Sequence, residues 1–178
     1  MSRRIDADRL YLRPLTRSDC SERYVAWLND PQVNRYLETR FAAQDLKAIA
    51  DFVDGVNGRS NEHLFGIFLR SGEIHIGNIK LGPVNPHHLL GDISLFIGER
   101  SCWGMGYAAE AITAASRFAF DALAVRKLSA GMYAPNVASY RAFVKAGYRE
   151  EARRPGHYLL EGTPCDILEL GCVPENLR

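Results

Sequence analysis

The chain of 178 residues carries 22 Lys and Arg against 21 Asp and Glu, a net charge of +1, with 47% hydrophobic and 24% charged residues. That balance fits an ordinary globular protein folded as one domain over 1–178, and it gives no electrostatic basis for a nucleic-acid partner. No apolar run approaches the roughly 20 residues that cross a bilayer, and no signal-peptide core follows the charged start Met1-Ser2-Arg3-Arg4-Ile5-Asp6, so a cytoplasmic protein without a membrane partner is expected.

Leu10-Tyr11-Leu12-Arg13-Pro14-Leu15 alternates apolar and polar residues and predicts a first strand. Thr16 and Ser18 can cap a helix running to about Trp27 and stopping near Asn29-Asp30-Pro31. A short helix is expected from Val33 to Glu38. A longer one is expected from Ala43 to Val56, with Leu46, Ile49, Ala50 and Val53 on one face. The strands 64–69 and 74–81 flank the turn Ser71-Gly72-Glu73, a hairpin pattern. A further strand covers 92–97. Then come a glycine turn, an alanine-rich helix from Tyr107 to about Leu123, a strand at 127–133 and a helix at 137–145. Strands at about 148–154 and 165–172 close the chain, giving a mixed α/β fold. Cys20, Cys102, Cys165 and Cys172 form no CxxC pair, and His87-His88 lacks a third ligand at a recognisable spacing, so no metal is expected.

The most informative stretch is Ile97-Gly98-Glu99-Arg100-Ser101-Cys102-Trp103-Gly104-Met105-Gly106-Tyr107-Ala108, where a strand ends and a helix begins at once. Gly104 and Gly106 permit a tight turn and leave room for an anion near the main chain, at the N–H-rich start of the helix. Alone, the pattern equally suits a simple turn with a closely packed helix start. Its spacing fits neither GxxxxGK[ST] nor GxGxxG, which removes the nucleotide-hydrolase and dinucleotide readings. A second segment, Tyr133 to Tyr148, opens with Asn136 as a helix cap after Pro135 and ends with Lys145 and Gly147. By itself it is a well-capped helix.

Trp103-Gly104-Met105-Gly106-Tyr107-Ala108 resembles the Q/R-x-x-G-x-G/A coenzyme A loop of the GNAT N-acetyltransferase superfamily, especially its ribosomal-protein-alanine and amino-sugar acetyltransferase branch. The helix opened by Asn136 is similar to a second motif of that family, and the likeness extends to Arg9–Leu15 and Trp27–Val33. The resemblance implies a central, mixed but mostly antiparallel sheet of about seven strands flanked by helices, with acetyl-CoA as co-substrate. It implies that the coenzyme lies against main-chain groups of Leu95, Phe96 and Ile97, against Trp103, Gly104, Met105, Gly106, Tyr107 and Ala108, and against Asn136, Ser139 and Lys145. Trp103 stands where the motif has Q or R. Phe143 stands where many members carry a tyrosine general acid, leaving Ser139, Tyr140 or water to protonate the thiolate.

The resemblance makes Asp92 the candidate general base, because the related branch often has a glutamate at this position, and Asp166 is second. Trp27, Tyr36 and His157 are the candidate acceptor contacts. The acceptor expected is a small amine such as an amino sugar, and a peptide N-terminus is the alternative. A non-catalytic acyl-CoA-binding domain and a structural α/β module are the rival readings. The last strands and the 83–90 loop could meet across a homodimer.

Overall fold

In the computed structural model, which describes residues 4–178, all the segments expected to be strands join one sheet. The strands are β1 (Ile5–Asp6), β2 (Leu10–Pro14), β3 (His63–Leu69), β4 (His75–Leu81), β5 (Leu90–Ile97), β6 (Lys127–Tyr133), β7 (Arg149–Leu160) and β8 (Thr163–Cys172). Their order across the sheet is β1-β2-β3-β4-β5-β6-β8-β7. Only β5 and β6 run parallel. Eight strands stand where about seven were expected. The addition is β1, whose two residues are too few for any periodicity to register.

The helices are α1 (Glu22–Asn29), α2 (Pro31–Asn34), α3 (Leu46–Asn57), α4 (Tyr107–Ala122) and α5 (Val137–Ala146). Several boundaries differ from expectation. Thr16 and Asp19 close a reciprocal capping box on a separate 3-10 turn, Arg17–Asp19, so α1 starts only after Ser21, whose hydroxyl accepts from the Tyr24 N–H. The helix expected at 33–38 is instead the single turn α2, begun by Asp30 and Pro31, followed by a 3-10 turn at Glu38–Phe41. In α3 the buried residues are Ile49, Ala50, Val53 and Val56, while Leu46 sits at the capped end and is exposed. Strand β7 continues six residues past its expected end because Glu161 and Gly162, both at positive φ, turn it into a long hairpin with β8.

Two apolar clusters lie on opposite faces of the sheet. On one face α4 packs through Ala111, Ile112, Ala114, Ala115 and Ala119, together with Phe143 and Ala146 of α5, against Ile79, Ile93, Leu128 and Leu168. Alanine at these contacts lets the helix backbone lie close to the strands. On the other face Tyr24, Trp27 and Leu28 of α1 and Ile49, Val53 and Val56 of α3 cover Tyr11, Leu64 and Phe68. The functional consequence lies at the centre. Pairing between β5 and β6 covers only Leu90–Asp92 against Lys127–Ser129, yet the two strands run on to Ile97 and Tyr133. Past Asp92 they separate, and a slot opens in the middle of the sheet.

Candidate active site

The backbone direction of β5 decides what faces this slot. The Asp92 carbonyl accepts from the Gly82 N–H and the Gly98 N–H donates to the Ile76 carbonyl, so the even-numbered peptide groups of β5 point toward β4. Along an extended strand the groups alternate sides, and those of Leu95 and Ile97 therefore point into the slot. The Ile97 carbonyl is taken by the Trp103 indole N–H at 2.8 Å. Of the N–H groups that face the slot, that of Leu95 sits in the middle of the wall. Phe96, expected to share this role, does not: its peptide group belongs to the β4 ladder opposite Asn78, and its ring packs against Tyr24 and Trp27.

Above the slot the glycine turn has the backbone that its residues suggest. Gly104 and Gly106 have φ of +76° and +83°, and Gly106 is the left-handed N-cap of α4 with no side chain covering the helix end. A Cβ on Gly104 would meet nothing within 4 Å, so the space over the turn is open. A Cβ on Gly106 would lie 3.5 Å from the Arg9 guanidinium and 3.7 Å from Lys145 Nζ. Free N–H groups, the helix dipole and two cations therefore converge on one point, which suits a diphosphate. The Arg9 main-chain N–H and Nε donate to the two Glu110 carboxylate oxygens (2.6 and 2.9 Å), and its Nη1 donates to the Met105 carbonyl (3.0 Å), tying the turn to the start of β2. Trp103, at the Q/R position, fastens the turn to the end of β5 instead of presenting a polar side chain. Met105 and Tyr107 flank the turn, the first exposed and the second beneath the Arg9 guanidinium, and Ala108 lies half-buried in the first turn of α4.

The slot itself is a cleft of about 290 Å³, lined from β5 by Ile93, Ser94 and Leu95, from β6 by Gly131 to Tyr133, and from α5 by Asn136, Ser139 and Phe143. Asn136 Oδ1 caps α5 by accepting from the Ser139 N–H at 3.3 Å. Tyr140 is one helical step away and packs on the main core, so of the two hydroxyls expected near the thiol only Ser139 lines the cleft. Phe143 is buried with its ring edge-on to Tyr148. A second cleft of about 570 Å³ begins at Gly106 and Lys145 and follows the outer side of α4.

The cleft also holds the expected Tyr36 and His157, together with Tyr133, Tyr158 and Glu169, which the sequence reading missed. Tyr36, Tyr133 and Tyr158 form an aromatic wall, with ring centroids 6.1 and 5.7 Å apart. The Tyr133 hydroxyl donates to Glu38 (2.6 Å) and accepts from Arg40 (2.8 Å), while burial and the Glu38 carboxylate push its phenol pKa up. His157 stands at the rim beside Arg154, and Glu169 on β8 also faces the cleft.

Three expected roles need correction. Trp27 is 6% exposed and lies beneath β5, where a side chain on Gly98 would collide with its indole, so it is a core residue with no face for an acceptor. Asp92 lies at the last position where β5 and β6 still pair and is not among the residues lining the cleft, although partial burial pushes its carboxyl upward against the pull of Lys80. Asp166 lies on the opposite face of β8 from Ile167 and Glu169. Its carboxylate is committed to the Gly156 N–H and Arg153, which hold its pKa below the usual range.

Among the described residues, no group of three or more His, Cys, Asp or Glu converges as a metal site, and no helix is long and apolar enough to cross a membrane.

A sheet split beside a parallel strand pair, with no side chain capping the helix start at the glycine turn, agrees with the coenzyme A-binding fold that the resemblance implies. Residues 9–149 match the acetyltransferase (GNAT) domain family, and the chain belongs to it. It is 26% identical over 164 residues to the uncharacterized N-acetyltransferase YoaA of Bacillus subtilis, covering 91% of this chain and 92% of that protein. Among solved structures, a GNAT-family acetyltransferase from Bacillus anthracis superposes with a TM-score of 0.83 at 22% identity, over 97% of this chain and 99% of that one. Spermidine N-acetyltransferase from Vibrio cholerae, in complex with CoA and spermine, gives 0.83 at 18% identity, over 94% and 97%. Mycobacterium smegmatis RimJ, in complex with CoA-disulfide, gives 0.84 at 16% identity, over 98% and 88%. The protein is thus an acetyl-CoA-dependent acyltransferase, of a family whose members acetylate amine acceptors.

Proposed function

We propose that residues 1–178 form one cytoplasmic N-acetyltransferase domain that moves an acetyl group from acetyl-CoA to a primary amine on a small molecule, by direct attack. The observation that carries the reading is the Leu95 N–H directed into the gap between β5 and β6. A thioester lying in that gap would have its carbonyl polarised there, the place where negative charge builds in the transition state. The diphosphate would rest on Gly104 to Ala108 between Arg9 and Lys145, with the pantetheine arm beside Asn136 and the thiol near Ser139. The attacking amine must be neutral. For an α-amine of pKa about 8 that costs about 1.4 kcal/mol at pH 7, and for a lysine-like amine about three times as much. The thiolate leaves from a group of pKa near 8.5, so Ser139 or water is sufficient to protonate it.

A cleft of about 290 Å³ bounded by three tyrosines suits an acceptor of amino-sugar size. With Trp27 in the core, support for the amino sugar rests on this cleft. A peptide N-terminus is the second reading, favoured by the exposed rim at His157 and Tyr158, through which a longer acceptor could extend. The long exposed edge of β7 would suit a homodimer through the last strands.

Calorimetric titration with acetyl-CoA tests the coenzyme site. Micromolar binding that Gly106→Trp abolishes is the expected result, followed by amine-dependent thiol release in a screen of amino sugars, polyamines and N-terminal peptides. Absence of binding by the wild type would sink the transferase reading. Binding without thiol release from any amine would leave an acyl-CoA-binding domain.

A further inference from the structure

Within the transfer reaction proposed above, on which this inference rests, we infer that Glu169 is the general base that takes the acceptor's ammonium proton. The candidate carboxylates near the cleft separate by geometry. Asp92 shares its face of β5 with Ser94 but stands where β5 and β6 are still paired, and Asp166 faces the other side of β8 with both oxygens engaged. Glu38 holds the Tyr133 hydroxyl and Arg40 through its Oε1 and sits at the outer, exposed rim. Glu169 lines the cleft from the strand next to β6. Its Oε1 is fixed by Arg154 Nη2 at 2.6 Å, and no partner is recorded for its Oε2 among the described residues.

Gly131 clears the path. In the β6–β8 register Gly131 lies opposite Glu169, so the position between the carboxylate and the gap carries no side chain. A Cβ there would meet nothing within 4 Å, which makes it a window and not a packing contact. Neighbouring strands are about 4.8 Å apart, so the carboxylate stands one strand beyond the wall that borders the gap. From there it reaches an amine at the gap directly or through one water.

The proton balance is complete without another reactant. The ammonium gives one proton to the Glu169 carboxylate. The freed lone pair forms the C–N bond at the thioester carbon, while the developing oxyanion rests on the Leu95 N–H. The C–S bond then breaks with its electron pair on sulfur. The second nitrogen proton goes through water or Ser139 to the thiolate, and Glu169 returns its proton to solvent. Arg154 is a positioning residue here: it holds one carboxylate oxygen and leaves the other to take the proton.

The test compares wild type, Glu169→Gln, Gly131→Val and Asp92→Asn by thiol release from acetyl-CoA, with glucosamine, spermidine and an alanine-amide peptide as probes, alongside acetyl-CoA titrations. Glu169→Gln is expected to lower kcat/KM by about 100-fold at neutral pH, with a deficit that shrinks as pH rises toward the amine's own pKa, because a neutral amine needs no base. Acetyl-CoA affinity should stay within about twofold of wild type, and Asp92→Asn should keep its rate within about threefold, because neither change touches the groups assigned to the coenzyme or to proton removal. Should Glu169→Gln fail to fold, Gly131→Val decides: closing the window should cut kcat/KM for every amine while acetyl-CoA still binds.

A Glu169→Gln enzyme that matches wild type across the pH range, or a loss carried by Asp92→Asn instead, would overturn the assignment and leave the transferase reading intact. Wild type that binds acetyl-CoA but releases no thiol with any amine would overturn both.

Discussion

Arg9 works on the fold and on the coenzyme turn through the same guanidinium. It pairs with Glu110 of α4, which is only 16% exposed at the side chain, and reaches the Met105 carbonyl in the glycine turn. Arg9→Met should therefore weaken acetyl-CoA binding by roughly tenfold, equivalent to about 1.4 kcal/mol, by removing a charge-assisted contact. It should also lower the melting temperature, because Glu110 loses its cationic partner and keeps only the main-chain N–H of residue 9. Calorimetry and thermal unfolding check the two effects separately, and a variant that loses stability with unchanged affinity would remove Arg9 from the binding site. Phe143 raises the opposite question, whether an absent hydroxyl matters. Since the leaving thiol has a pKa near 8.5, Phe143→Tyr should leave kcat within about threefold, and a gain beyond tenfold would show that protonation limits the wild type. At this scale the sequence disclosed the backbone specialists, Gly104, Gly106 and Asn136, because turn and cap chemistry is local. It did not disclose Glu169, Tyr133 or Arg154, whose roles depend on which strands become neighbours. The one local sign was a lone acid between Leu168 and Leu170, in a strand otherwise apolar there.

Helix ends show where local chemistry decides and where it does not. Both ends of α5 follow from residue types, Asn136 capping and Gly147 stopping it at φ +108°. A Cβ on Gly147 would collide with the Asn176 carbonyl, which also packs the C-terminal segment there. Gly147→Ala should cost more than about 2 kcal/mol, from the left-handed backbone and the collision together. Because α5 carries Asn136 and Lys145, weaker acetyl-CoA binding should accompany that loss, and urea unfolding with titration would show both. The start of α1 was ambiguous, since Thr16, Ser18 and Ser21 can all cap, and Asp19 chose Thr16 for the preceding turn. Burial alone would raise the Asp19 carboxyl pKa, but Arg13 (2.6 and 2.9 Å) and the Thr16 N–H and hydroxyl outweigh it and bring it to about 2. A carboxyl held below its unfolded pKa near 3.9 contributes stability above that pH and loses it as pH falls toward 2. Asp19→Asn should thus be destabilised by about 2 kcal/mol at neutral pH, with the gap to wild type closing in acid. A gap independent of pH would mean that the carboxylate's charge contributes little.

Across the molecule, the order of elements carried most of the topology: hairpins of adjacent strands on one side, and a strand-helix-strand crossover through α4 on the other. The split itself was not legible in the residues, because no local residue pattern encodes where two parallel strands part. The split has a mechanical consequence. The β1–β5 and β6–β8 halves share a ladder of only three residue pairs, and further links between them run through α4 and α5 and through the bonds of Glu38 and Arg40 to Tyr133. A coenzyme lying in the gap would contact β5 on one side and β6 and α5 on the other, so it would join the halves where the sheet does not. At a ligand concentration of 100 times Kd, binding to the native state alone adds about 2.7 kcal/mol, which for a chain of this size raises the melting temperature by roughly 5–10 °C. That shift would follow from any native-state site. The gap makes a narrower demand: amide exchange should slow at Leu95 and Ile97 and along β6 beyond Ser129, and much less in β2 and β3, which lie outside the slot. Protection confined to the glycine turn, with β6 unchanged, would mean that the diphosphate binds without the pantetheine entering the sheet.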